Sequence, residues 1–114
     1  MTLTETWVPT QAEFDAFARL SGDANPIHTD PAFAAASRFG RTVSHGMLIW
    51  TRLAALLAQA APGARIVAHE LRFPALTHAG DAVTLRVDAA GPGIWTVRAA
   101  VGDTVVTEGT VQTA

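Results

Sequence analysis

Apolar positions recur at helical spacing in the first half of the chain and at alternate positions in the second. Phe14, Phe17, Ala18 and Leu20 form a stripe over residues 11–20, which predicts an amphipathic helix. Thr10 stands where an N-cap belongs, Glu13 completes a capping box, and Ser21-Gly22 stops the run. Residues 23–29 are expected to be irregular, because Asn25 precedes Pro26 and is pushed out of the helical region. A short helix is expected over 31–38, with Asp30 as N-cap, Pro31 in its first turn and Gly40 beyond its end. Gly46 to Ala61 is apolar almost all the way round, which predicts a buried helix of roughly 24 Å ending before Pro62-Gly63.

Beyond residue 66 the period changes to two. Val67, His69, Leu71 and Phe73 alternate with Ala68, Glu70 and Arg72; Val83, Leu85 and Val87 alternate with Thr84, Arg86 and Asp88. Trp95, Val97, Ala99 and Val101 follow the Gly91-Pro92-Gly93 turn, and a last β-rich stretch, 104–112, follows Gly102-Asp103. Closely spaced strands with glycine turns predict an antiparallel meander. Helices first and strands afterwards argue an α+β fold in which a long sheet curls around one buried helix. Such a sheet has an exposed edge and a second face, and a homodimer would cover both. One domain over residues 1–114 is the simplest organisation, since no repeat, linker or low-complexity stretch interrupts the chain.

Charge and composition narrow the function. The eight Lys+Arg residues are all arginine and lie scattered, and the net charge is -2, which argues against a nucleic-acid partner. There is no cysteine, so thiol chemistry, disulfides and cysteine-bound metal are excluded. The N-terminal residues lack the pattern of a signal peptide and the longest apolar stretch is too short to span a bilayer, so no membrane association and a cytoplasmic location are expected.

The chemistry-bearing residues are concentrated between Ser21 and His45: Ser21, Asp23, Asn25, His28, Asp30, Ser44 and His45. Pro26 and Pro31 stiffen that loop. Asp23 and His28, five residues apart on a turning segment, can converge on one water as an acid–base pair. The buried helix begins at Gly46, whose free N–H groups and dipole suit a developing oxyanion, and a glycine there lets a ligand approach the backbone. Each residue also has a plainer reading. Asp23 fits an Asx turn, and His28 fits a core histidine donating to a backbone carbonyl. The His45 side chain fits a helix start with no chemical task, and His69 and His78 fit surface or pocket-lining positions. Ser21 lacks a nucleophile-elbow pattern, and the spacing of His28, Asp30 and His45 matches no standard metal site, so no metal is expected.

The run Phe17-Ala-Arg-Leu-Ser-Gly-Asp-Ala-Asn-Pro-Ile-His-Thr-Asp-Pro resembles the hydratase-2 motif of MaoC-like dehydratases, the (R)-specific enoyl-CoA hydratases in particular. Phe39-Gly-Arg-Thr-Val-Ser-His-Gly-Met-Leu and the later Arg72-Phe73…Gly80-Asp81 are similar to the same family. The resemblance implies a hotdog fold, a homodimer with active sites near the interface, and reversible hydration of trans-2-enoyl thioesters without a cofactor. It carries the catalytic pair onto Asp23 and His28 and the thioester-oxygen donor onto the backbone of Gly46. Asn25, which orients the loop, His45 and Met47 join Gly46 as candidate substrate-binding residues. Leu76 stands where the family usually carries proline, with Pro74 earlier, which bears on the shape of the acyl channel. Two alternatives accompany this reading. One is the same chemistry on a carrier-protein substrate, for which Arg38 and Arg41 offer a small basic pair. The other is a hotdog subunit that binds acyl thioesters without turning them over.

Overall fold

The computed structural model describes residues 1–114. In chain order the elements are β1 (Thr2–Trp7), α1 (Gln11–Ser21), α2 (Pro26–Thr29), α3 (Pro31–Ala36), α4 (Gly46–Ala60), β2 (Ile66–Arg72), β3 (Val83–Gly91), β4 (Ile94–Val101) and β5 (Thr104–Thr113). The five strands form one curved antiparallel sheet in the order β1-β3-β4-β5-β2, with α4 as the central helix. This is the α+β hotdog arrangement that the sequence resemblance implied. The meander holds for β3-β4-β5 only. β2 pairs with β5 rather than with β3, which places it at one edge of the sheet.

β1 is an element the periodicity reading omitted. Thr2–Trp7 alternates, with Leu3, Glu5 and Trp7 less exposed than the threonines between them. Glu5 broke the apolar pattern; its carboxylate lies 3.4 Å from the Arg52 guanidinium of α4, and that guanidinium sits over the Trp7 ring. The start of α1 follows expectation: Thr10 accepts from the Glu13 N–H, Glu13 accepts from the Thr10 N–H, and Gly22 takes the left-handed C-cap conformation at φ 82°. The stretch expected to be irregular contains α2, one short turn of helix capped by the Asn25 side chain with Pro26 in its first position. The following helix, α3, is shorter than expected and ends at Ala36.

α4 lies against β3, β1 and β4. Ile49, Leu53, Leu56, Leu57 and Ala60 pack onto Leu85, Val87, Val97, Ala99 and Val111, with Trp7 and Phe14 closing the flank. Each fully buried leucine or valine contributes about 1.5–3 kcal/mol, so this seam is the main source of stability. The expectation that α4 is buried on every side is corrected. Met47, Thr51, Ala55, Ala58 and Gln59 face outward in the single chain. Alanine tolerates this because its methyl group loses little by exposure. β2 is likewise almost wholly exposed, and its alternation does not produce a buried face. No helix is long and apolar enough to cross a membrane.

Candidate active site

The two prolines and two caps shape the loop between α1 and α4. The Asp23 N–H donates to Ser21 Oγ at 3.1 Å, and Asp23 Oδ1 accepts from the Asn25 N–H at 3.4 Å. Asn25 Oδ1 in turn accepts from the Ile27 N–H at 3.1 Å, which starts α2. One turn later, His28 projects back toward Asp23. Its Nε2 lies 3.7 Å from Asp23 Oδ2.

Both of the plainer readings of these residues are realised, and neither excludes chemistry. Asp23 spends Oδ1 on the Asx turn and leaves Oδ2 free. His28 Nδ1 lies 2.6 Å from the Val43 carbonyl oxygen. A carbonyl only accepts, so Nδ1 carries the hydrogen and neutral His28 presents the Nε2 lone pair to Asp23. The side chain of His28 is 15% exposed and that of Asp23 56%, so the imidazole is held while the carboxylate remains open to a ligand.

Residues 42–45 form the floor beneath the pair. The Val43 N–H donates to the Ile27 carbonyl at 3.0 Å, and the Ser44 N–H donates to Thr77 at 2.7 Å. His78, expected at the surface or lining a pocket, is half-buried and helps hold this floor: its Nδ1 is 3.0 Å from the Thr42 carbonyl. His69 lies on exposed β2, with its ring 4.6 Å from that of Trp50.

Gln11 was not singled out by the sequence. Its amide donates to the His28 carbonyl at 2.8 Å, and its Oε1 accepts from Thr42 Oγ1 at 2.6 Å. It therefore ties the first residue of α1 to both sides of the loop. The link spans residues distant in sequence, and no local pattern announces it. His45 was assigned no chemical task for its side chain. The structure leaves the residue 3% exposed, its ring stacked on His28 at 3.9 Å between centroids, with Nε2 2.8 Å from the Asp23 carbonyl. A bound molecule could meet the backbone of His45, but the ring is covered.

α4 begins directly after His45. That residue makes no side-chain cap, so the first-turn N–H groups starting at Gly46 are left to an external acceptor. The Phe73 ring lies across Gly46: a β-carbon built there would stand 3.0–3.2 Å from three ring atoms. Met47 is half-exposed beside it. Asp23, His28, Asn25, His45 and Gly46 thus fall in one region. Asp23, His28 and His45 offer ligand atoms within 4.8 Å of one another. His45 Nε2 is already engaged, and two nearly parallel rings direct their lone pairs side by side rather than at one point, a poor cradle for an ion. A concavity of about 720 Å³ lies elsewhere, on the sheet face turned away from α4 among Arg72, Arg86, Arg98 and Glu108. Arg72 pairs there with Glu108 across two strands and Arg86 with Asp88 along β3, and no histidine lines it.

The family profile of the MaoC like domain matches residues 1–112. The chain is 44% identical over 79 residues to the (R)-specific enoyl-CoA hydratase of Aeromonas caviae, a match covering 68% of this chain and 59% of that enzyme. It is 37% identical to the 3-hydroxybutyryl-CoA dehydratase of Methylorubrum extorquens, over 65% of this chain and 48% of the relative. These matches therefore span only about half the length of those relatives. A 3-hydroxyacyl-thioester dehydratase Z of Mycobacterium tuberculosis is 36% identical over 95% of this chain and 78% of its own. Among solved structures, the A. caviae (R)-hydratase superposes with a TM-score of 0.85 at 32% identity, covering 97% of this chain and 91% of that one. The Pseudomonas aeruginosa R-hydratase PhaJ1 superposes with a TM-score of 0.90 at 26% identity, covering 99% and 78%.

Proposed function

This chain belongs to the MaoC-like dehydratase family, and from that premise we propose that it reversibly hydrates trans-2-enoyl thioesters to (R)-3-hydroxyacyl thioesters, as a homodimer in the cytoplasm. The observation that carries the reading is the meeting of Asp23 Oδ2 and His28 Nε2 at 3.7 Å, with the second polar atom of each already bound to the backbone.

A water oxygen about 2.8 Å from each group can stand over a 3.7 Å base, giving one hydrogen to each. Its lone pairs then face outward to C3 of the enoyl group. Asp23 takes the proton as the C3–O bond forms. The proton crosses the short gap to His28 Nε2, which delivers it to C2, so the pair ends as it began. Meanwhile the charge that develops on the thioester oxygen is met by the N–H of Gly46 and the positive end of α4. The thioester itself acidifies C2, and the reaction as written needs no metal or organic cofactor.

The CoA-linked substrate is favoured over a carrier-protein substrate. Arg38 and Arg41, the small basic pair that the sequence offered to an acidic carrier protein, each have a partner within the chain: Arg38 lies over Phe39 and Arg41 lies 3.4 Å from Asp81. The homodimer reading rests on exposed β2 and the outward face of α4, which one second copy could cover together. The test is loss of the enoyl absorbance of crotonyl-CoA and longer enoyl-CoA esters, run beside the same acyl groups on a carrier protein. No turnover of any of these thioesters by the folded protein would refute the reading.

A further inference from the structure

We propose that His45 is a positioning residue that holds both members of the Asp23/His28 pair at once; this rests on the function proposed above. Its Nε2–H donates to the main-chain carbonyl of Asp23 at 2.8 Å, which fixes where that residue's carboxylate begins. The face of its ring supports the His28 imidazole at 3.9 Å and 25°, so His28 cannot rotate toward the protein interior without displacing it. Phe17 closes against His45 edge-on at 4.9 Å, and the residue is 3% exposed, so the ring has no room to move. One side chain thereby sets the position of two groups that must share a single water.

The remaining ring nitrogen gives a reason to look beyond packing. His45 Nδ1 is buried and has no hydrogen-bond partner. A polar atom in that state costs stability, and a phenylalanine of similar shape would avoid the cost. Stability alone therefore favours an apolar ring at this position. What histidine adds over phenylalanine is the Nε2–H bond to Asp23, and that bond is where its advantage must lie.

The test uses three substitutions. His45→Gln keeps an N–H for the Asp23 carbonyl and loses the ring. His45→Phe keeps the ring and loses the donor. His45→Ala loses both. With crotonyl-CoA as substrate, His45→Ala is expected to lower kcat about 10²-fold with KM little changed, as a small misplacement of reacting groups does. His45→Phe is expected to lose kcat even where it remains folded at the assay temperature, while His45→Gln recovers part of it. Histidine ¹⁵N spectra supply a readout independent of turnover. In the parent, the Val43 carbonyl should keep His28 protonated at Nδ1 and unprotonated at Nε2; in His45→Ala the unsupported ring should rotate off that carbonyl, and the pattern should give way to the tautomer mixture of a free ring. A folded His45→Ala protein with the parent's kcat, or one altered in KM alone, overturns the proposal. If His45→Ala does not fold, equal kcat in the Gln and Phe variants overturns it. If the parent itself is inactive on every thioester, the functional reading fails instead; an unchanged His28 spectrum in His45→Ala, or in His45→Gln where the Ala variant does not fold, then overturns the positioning role separately.

Discussion

Asp23 and His28 approach to 3.7 Å while each is anchored to the backbone through its other polar atom, Oδ1 to the Asn25 N–H and Nδ1 to the Val43 carbonyl. The anchoring and the chemistry use different atoms, so they can be separated by substitution.

Asp23→Asn keeps an oxygen for the Asx turn and removes the base. Hydration of crotonyl-CoA should fall about 10²–10⁴-fold, with little change in melting temperature because the side chain is 56% exposed. His28→Asn retains an N–H able to reach the Val43 carbonyl, whereas His28→Ala does not. Both should lose activity to a similar degree, and only His28→Ala should also melt clearly lower. Steady-state rates and thermal melts on the four proteins test this together; near-parent turnover in either Asn variant would remove that residue from the mechanism.

Gly46 has little room for a side chain. A methyl group there would stand 3.0–3.2 Å from the Phe73 ring. Phe73 is half-exposed and can shift, so Gly46→Ala should cost on the order of 1 kcal/mol, a fall of about 4–8 °C. The same methyl would obstruct approach to the first-turn N–H groups, and turnover should drop about 10²-fold. Adding Phe73→Leu should relieve the crowding and restore the melting temperature while leaving turnover low. Recovery of both would mean that Gly46 matters for packing alone.

Gln11 reaches the His28 carbonyl and Thr42 Oγ1 at once. Gln11→Ala leaves both partly buried groups without a partner, a loss of about 1–3 kcal/mol. Gln11→Glu replaces the donor facing the His28 carbonyl with an acceptor and should destabilise at least as much. Differential scanning calorimetry checks the order, and kcat should fall in both because the loop that carries His28 is released.

The sequence made the loop legible and left its supports hidden. Thr10, Glu13, Asp30, Pro26 and Pro31 act on neighbours within a few residues, so caps and turns could be read from spacing alone. Val43, His45 and Gln11 act on residues 15, 22 and 17 positions away, distances over which no periodicity carries information. The same division runs through the sheet. The β3-β4-β5 hairpins are announced by their glycine turns, but the crossing of β2 to the far side of β5 is decided by packing. β1 was missed because Glu5 interrupts its apolar alternation, and the interruption makes sense only beside Arg52 of α4.

On β3, next to the edge strand β1, Arg86 donates to Asp88 through Nε at 2.7 Å, and Thr2 of β1 donates to the same carboxylate. The bond from Arg86, then that from Thr2, holds the Asp88 carboxyl below its ordinary range. A lowered folded value means that the stabilisation is complete above the ordinary carboxylate pKa and is lost as pH falls through the lowered one. Asp88→Ala should therefore melt below the parent near neutral pH, with the gap closing in acid. The carboxylate is open to solvent, with the side chain 29% exposed, so the gap should be small and crotonyl-CoA turnover unchanged. Paired melts across a pH series check the closure; a gap that widened in acid would contradict the assigned tie.

β2 leaves a hydrogen-bonding edge open and carries Ile66 and Val67 outward, while Met47, Thr51, Ala55 and Ala58 of α4 face outward as well. An open strand edge flanked by apolar side chains associates readily, and self-pairing through a twofold axis would close the edge of both copies. Sedimentation should give twice the 11.9 kDa mass of one chain. Val67 is half-exposed in the single chain. Val67→Lys would place an unpaired charge in the proposed interface and should shift the population toward the single-chain mass, whereas Arg98→Glu, on the outer face of the sheet, should not. A parent protein that sediments at one chain mass would exclude the dimer.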